Sequence, residues 1–455
     1  MKKVYIILLI SIAINTNAQS ITCISDIYNG SLYTISIRTT EGEIYSWGNN
    51  DSGQINSNTS PIVTNPQLVN NENVYSTIEH LPEHTVALTN SGAIYTWGRN
   101  NYGQLGNGTS VGQITPQLVT GGNNWLKVVG GTYFTLALKN DGTIWGWGSN
   151  HAYQLSGEST QRYTSPIQLS IDSDWKDIFA GAFQTFAIKS DGTLWVRGNG
   201  ISGVLGTNNT YFHLNFTQVG TDTDWKSIFA PKTTINAVHA LKNDSTLWNW
   251  GSNTFNNLGN NTTGIQSTPS QLGTDTWRTV SSSSYRTLAI KNDGTLWTWG
   301  NSCYLGEEET TIRSIPTQIG TENDWIQVLS MQCNDYALKN NNTLWGWGSD
   351  MYGLIGNFSR TGNPVLLIQC PTASTNVNEI SDIILYPNPT VENIHWALNL
   401  PIENVTVYDT NGNKVLHEIV NNSFMNVSHL PDGMYIIILT DKDNNTYKNK
   451  FIKKN

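Results

Sequence analysis

An all-β fold, a seven-bladed β-propeller followed by a small β-sandwich, is what three features of this 455-residue chain predict. A strand, tight turn and second strand recur seven times: IRTTEGEIYSWG, LTNSGAIYTWG, LKNDGTIWGWG, IKSDGTLWVRG, LKNDSTLWNWG, IKNDGTLWTWG and LKNNNTLWGWG. The anchors Trp47, Trp97, Trp147, Arg197, Trp250, Trp299 and Trp347 stand 50, 50, 50, 53, 49 and 48 residues apart, a strand-built period typical of propeller blades. The repeats stop near Cys370, where the composition changes.

The first element is a leader. Lys2 and Lys3 precede an apolar run from Val4 to Ile14, and small residues follow up to Ala18, so residues 1–18 read as a signal peptide cleaved between Ala18 and Gln19. The run is too short to span a bilayer, and no other long apolar stretch follows, so no transmembrane segment is expected in the mature protein.

Residues 19–370 form the propeller. Its unit is clearest at TPQLV (115–119), WLKVVGG (125–131), TLALK (135–139) and TIWGWG (143–148), read in that order as strands a, b, c and d of one blade. Asp141-Gly142, Asp191-Gly192 and Asp293-Gly294 supply hairpin turns, glycine tolerating positive φ. Because the chain reverses at every turn, b–c and d–a connections share one face of the ring and c–d and a–b connections the other. Sixteen of the 17 tryptophans fall here, all at repeated positions, which marks them as packing residues rather than ligand platforms.

Charged residues make up 13% of the chain, the formal charge is −9, and Lys and Arg nowhere cluster, which argues against a nucleic-acid partner. No metal, phosphate-loop or redox motif is present, no cofactor is expected, and no catalytic residue is assigned. Gly108-Thr109-Ser110-Val111-Gly112 matches a nucleophile-elbow pattern, but it sits in a glycine-rich β loop rather than at a strand-to-helix turn. Asp441-Lys442-Asp443-Asn444-Asn445 resembles the start of a calcium loop, lacks its glycine and closing Glu, and reads as a hairpin turn.

The pattern A-L-K-x-D-G-T-L-W-x-W-G-x-N, G-Q-L-G, P-x-Q-L-V, clearest at Ala137 to Asn150 and Tyr102 to Gly106, resembles the repeat of the regulator of chromosome condensation family, whose members are seven-bladed propellers. The eukaryotic namesake is a nuclear guanine-nucleotide exchange factor, a role that a secretory leader and acidic balance argue against here. A bacterial relative is a secreted β-lactamase inhibitor, so the resemblance also allows an extracellular protein binder.

After a linker at 371–380, residues 381–455 carry Tyr386-Pro387-Asn388-Pro389-Thr390, Val405 to Asp409, Ser428 to Tyr435 and a terminal Lys450-Phe451-Ile452-Lys453-Lys454. These resemble the C-terminal sorting domain of the bacterial type IX secretion system, typical of Bacteroidetes. That likeness implies an immunoglobulin-like sandwich, type IX machinery as partner, and a protein exported through the periplasm and then secreted or attached to the outer surface.

Four cysteines in an exported chain invite disulfides, with three pairings possible. On the repeat alignment Cys23 and Cys370 both fall in the a–b connection that the chain ends leave open, and a bond between them would replace the missing link. Cys303 and Cys333 lie on the other face in adjacent repeats and form the second expected pair.

Positions alike in every repeat are explained by architecture, so the differing loop positions are the candidate ligand contacts. These are Tyr33, Glu83, His84, Tyr133, Phe134, Phe183, Gln184, Tyr285 and Arg286 from the b–c turns, with Tyr102, Phe255 and Tyr352 from the d–a loops. The expected protein is a monomeric, non-enzymatic binder of an extracellular protein or glycan; the alternative is a secreted inhibitor.

Overall fold

The computed structural model describes residues 23–28, 30, 33–55, 60–69, 74–158, 161–233, 237–301, 312–348, 354, 361–370, 385–397, 402–409, 414–419, 423–442 and 446–454. The leader, with Ala18 and Gln19, and the whole of the linker at 371–380 lie outside them. The chain divides into a unit ending at Cys370 and a second beginning at Pro371.

Every described strand pairing in the first unit is antiparallel. In the third repeat strand b is Trp125–Gly130, c is Phe134–Lys139, d is Ile144–Gly148 and a is Tyr163–Gln168. The sheet runs in that order, with Ala137 opposite both Val128 and Trp145, and Trp145 opposite Gln168. This corrects the expected unit by one strand. TPQLV belongs to Gln113–Leu118, which pairs with Ile94–Gly98 of the preceding repeat, Tyr95 opposite Leu118. The d–a loop closes a hairpin within one sheet, whereas the a–b connection crosses from the outer edge to the next inner strand.

Among the described residues of this unit, five sheets have four strands and one has seven, because the 18-residue strand Ile265–Ser282 serves as outer strand of the fifth repeat and inner strand of the sixth. Outer strands carry Pro66, Pro116, Pro166, Pro269, Pro316 and Pro364, where a missing N–H keeps an exposed edge from recruiting another strand.

The repeated W-G and G-Q-L-G motifs are two halves of one contact between neighbours. The Trp147 indole donates to the Gln104 carbonyl of the preceding repeat at 2.9 Å, and Trp97 to Gln54 at 2.8 Å. Gly106 leaves room for this: a Cβ there would lie 2.6 Å from Trp147 Nε1. Gly148, at φ 98°, is needed for a different reason, since its Cβ would meet the Tyr133 carbonyl at 2.6 Å. Trp147 is fully buried beside Leu81, Val86 and Val119 of the second repeat. Each hidden indole removes roughly 150–250 Å² from water, at most about 4–6 kcal/mol.

The first and last repeats meet through the same contacts. Trp47 donates to the Leu354 carbonyl at 3.3 Å, and the Ile24 N–H to the Asn342 carbonyl at 3.3 Å, as Trp125 does to Gly92 at 3.1 Å. Ile24, Ile27 and Trp47 share one apolar cluster with Leu329, Met331 and Tyr336. The ring is therefore closed, and Cys23 and Cys370 are joined by a disulfide across the same seam, Cα to Cα 4.3 Å. Cys333 is also disulfide-bonded, while Cys303, its expected partner, lies outside the described residues.

The second unit packs two sheets on one core. Leu385–Tyr386, Asn393–Trp396 and Phe424–Asn426 form one, and Lys414–Ile419, Ile402–Tyr408, Gly433–Asp441 and Thr446–Lys453 the other. Ile394, Trp396 and Met425 meet Val405, Val407, Ile437 and Phe451 between them. Asp441 ends a strand in an antiparallel hairpin and accepts the Tyr447 hydroxyl at 3.0 Å.

Candidate functional site

The b–c turns and d–a loops share one face, and the backbone fixes which residues are equivalent there. Asn49, Arg99, Ser149, Asn199 and Asn301 donate N–H bonds to the carbonyls of Tyr33, Glu83, Tyr133, Phe183 and Tyr285. Tyr33 is thus the counterpart of Glu83, and Thr34, which opens strand c, that of His84.

Four expected contact residues are withdrawn from this face. His84, Phe134, Gln184 and Arg286 open strand c opposite a W-G glycine, and all are buried. The pleat turns that position inward between repeats. Arg286 is paired there with Asp335, Nε to Oδ2 2.8 Å, and His84 Nε2 lies 3.2 Å from Thr135 Oγ1. Tyr352 lies outside the described residues.

Of the remaining candidates Tyr102 is exposed and Tyr33, Glu83, Tyr133, Phe183, Phe255 and Tyr285 are half-buried, Tyr33 against the apolar core; the other aromatics pair across repeat boundaries. Tyr102 meets Tyr133 with ring centroids 4.8 Å apart, and Phe255 meets Tyr285 at 4.9 Å. His151, which sequence comparison passed over, meets Phe183 at 5.1 Å. In each pair a d–a loop touches the following b–c turn. Arg99 donates to Glu83 at 2.6 Å beside the first pair. Tyr102, Tyr211 and Phe212 are exposed on d–a loops.

The framework tryptophans are closed to a ligand. Lys139 Nζ sits 4.0 Å from the Trp145 ring centre and 4.8 Å from that of Trp125, and Lys189, Lys242, Lys291 and Lys339 repeat the arrangement. Burial pulls the Lys242 ammonium down, and the carboxylates of Asp222 and Asp224 more than reverse it, so its pKa is raised.

Sequence comparison of loops missed the axis. The inner strands surround a cavity of about 320 Å³, lined at one level by Ile27, Glu79, Val129, Phe179, Phe229, Ser281 and Leu329 of the seven repeats in turn. It opens on the b–c face, since Lys232, Ser283 and Met331 line it too. The fifth repeat brings Lys232 there on a longer turn: Trp225 to Ala237 spans 12 positions where Trp125 to Phe134 spans 9. The anomalous spacing of 53 was its trace. Lys232 Nζ reaches Glu79 Oε1 of the second repeat at 3.2 Å.

This architecture is that of a repeat propeller joined to a secretion domain, and sequence profiles agree. The regulator of chromosome condensation (RCC1) repeat matches residues 91–138 and 141–188, a second profile of that repeat matches 125–154, and the secretion system C-terminal sorting domain matches 384–454. The chain carries RCC1 repeats and a type IX sorting domain, which marks it for secretion or cell-surface attachment.

Among solved structures, human WBSCR16 is 17% identical with a TM-score of 0.64, covering 72% of this chain and 94% of that one. Yeast RCC1 (Prp20) bound to Kap60 is 16% identical with a TM-score of 0.64, covering 80% and 91%. Prp20p from Saccharomyces cerevisiae, solved separately, gives 17% and 0.63, covering 76% and 88%. These likenesses establish the propeller fold. The ulvan lyase NLR42 of Nonlabens ulvanivorans is 32% identical over 89 residues, 19% of this chain and 17% of the lyase, so this chain spans about a sixth of that relative's length.

Proposed function

We propose that the protein is an exported, non-enzymatic binding protein whose b–c and d–a face contacts an extracellular macromolecule. The leader at 1–18 would start export, and the type IX domain would complete it. The observation that carries this reading is the set of aromatic pairs and exposed aromatics on that one face, above an axial cavity, while the other repeated aromatics are locked in the framework. Tyr and Arg, as at Tyr102 and Arg99, dominate the energetics of protein contacts when an interface covers them.

Capture from culture medium and on a glycan array, with wild type and a Tyr102→Ala/Tyr211→Ala variant, tests it. Wild type should retain a partner that this variant loses and that Ile171→Ala, on the opposite face, keeps. Equal capture by all three, or none, would remove the face from consideration. Protein capture without array binding favours the inhibitor reading, and the reverse favours an adhesin.

A further inference from the structure

The Glu79–Lys232 pair joins the second and fifth repeats inside the axial cavity, and both side chains are largely buried, 13% and 12% exposed. Its hydrogen-bonding capacity is only partly used. Glu79 Oε1 faces Lys232, and Oε2 accepts the Gly130 N–H at 3.0 Å, leaving one lone pair on each oxygen. The ammonium has two further N–H groups. Acceptors and donors thus lie side by side, with charges that cancel. Ser281 Oγ, at the same level of the wall, accepts the Ser330 N–H at 2.9 Å and keeps its own proton to donate, and Val129 and Phe229 supply apolar lining.

We infer that this cavity binds one neutral sugar residue, a hydroxyl donating to Glu79 and its vicinal neighbour accepting from Lys232. A vicinal diol is both donor and acceptor along one edge, which matches a carboxylate beside an ammonium, whereas an anion would leave Glu79 repelled. A second hydroxyl edge would reach Ser281 Oγ, and the C–H face of the ring would meet Phe229. The volume of about 320 Å³ is near the lower end of ligand pockets, ~300–1,000 Å³, and suits a single residue rather than a chain. The inference rests on the binding face proposed above and names the chemistry at its centre.

Saturation-transfer NMR and calorimetry of the full chain with methyl glycosides of neutral hexoses and of a uronic acid provide the test. At least one neutral glycoside should show transfer at millimolar concentration and the uronoside none. Glu79→Gln should weaken binding at least tenfold. Because that change also alters a contact across the ring, Val129→Phe, which copies Phe179 and Phe229 at the same level, serves as second variant; it leaves the pair intact, narrows the cavity and should weaken binding several-fold without lowering the melting temperature. No transfer from any neutral glycoside, binding of the uronoside alone, or affinity unchanged in both variants would overturn the inference. If macromolecular capture still depends on Tyr102 and Tyr211 in that event, the binding face stands without the sugar site.

Discussion

Arg286 of the sixth repeat donates through Nε to Asp335 Oδ1 in the seventh at 3.0 Å, with Oδ2 of the same carboxylate 2.8 Å from Nε in a buried ion pair. Ser330 Oγ adds a bond to Asp335 Oδ1 at 2.9 Å. Burial pushes the Asp335 carboxyl up, against the pull of the guanidinium. Other repeats hold Thr85, Thr135, Thr185 and Thr287 at the aspartate position, and Thr135 there donates to the Gln104 carbonyl. An ion pair has replaced a threonine contact at one boundary. Arg286→Ala should therefore cost about 3–5 kcal/mol, because it strands a buried carboxylate. Arg286→Phe with Asp335→Thr, copying Phe134 and Thr185 of the third and fourth repeats, should recover most of it. Urea unfolding measures both, and a double variant as unstable as the single would refute the idea that the pair is dispensable.

The disulfide closes a loop of 347 residues at the seam. In the chain-entropy account this contributes about 6 kcal/mol, through the unfolded state. The noncovalent seam, including Gln327, which accepts the Ile27 N–H at 3.0 Å and donates to the Ile27 carbonyl at 2.6 Å, holds the native ring in either redox state. Cys23→Ser with Cys370→Ser should thus lower the melting temperature by several degrees and leave the near-ultraviolet circular dichroism of the folded protein unchanged. A changed native spectrum would mean that the bond shapes the ring.

Three histidines give the propeller an acid limit. Burial lowers His80, His84 and His239 each to about 3. The unfolded chain takes up these protons below the ordinary histidine value near 6.5, and the folded chain does not until about 3. Their contribution is therefore complete above pH 6.5 and is lost as pH falls, at up to about 1.4 kcal/mol per pH unit for each residue. His239→Leu, which copies Leu136 and Leu288 at the same strand position, should make unfolding free energy between pH 6 and 4 shallower by about one such increment. An unaltered slope would show that His239 does not stay neutral.

Periodicity made the fold legible, because each repeat restates the same turn glycines and indoles, and seven copies average out local ambiguity. It could not say which sheet strand a joins, since Gln113–Leu118 is adjacent in sequence to both Ile94–Gly98 and Trp125–Gly130 and only pairing decides. The site was less legible for a related reason. Variation at His84 or Arg286 looked like loop drift, yet those residues vary because they contact a differing neighbour in the interior. Glu79 and Lys232 escaped notice because one lies on a strand and the other in an inserted turn, and nothing in one dimension brings the second and fifth repeats together.

The degenerate anchor at Arg197 is a compensated exchange. Its guanidinium takes the indole's place, with Nε donating to the Tyr153 carbonyl at 3.3 Å and Nη2 to the Leu214 carbonyl, and it lies over Phe216, 5.3 Å from the ring centre. Phe216 itself occupies the outer-strand position where other repeats have proline, and it packs on Trp175 at 4.8 Å. The two departures therefore touch. Arg197→Trp alone should overfill the space and cost about 1–3 kcal/mol. Arg197→Trp with Phe216→Pro restores the pair found at Trp147 and Pro166 and should be close to wild type. A double-mutant cycle by chemical denaturation should give a coupling of at least about 1 kcal/mol. Additive effects would mean that Arg197 and Phe216 changed independently and that the fourth repeat is merely eroded.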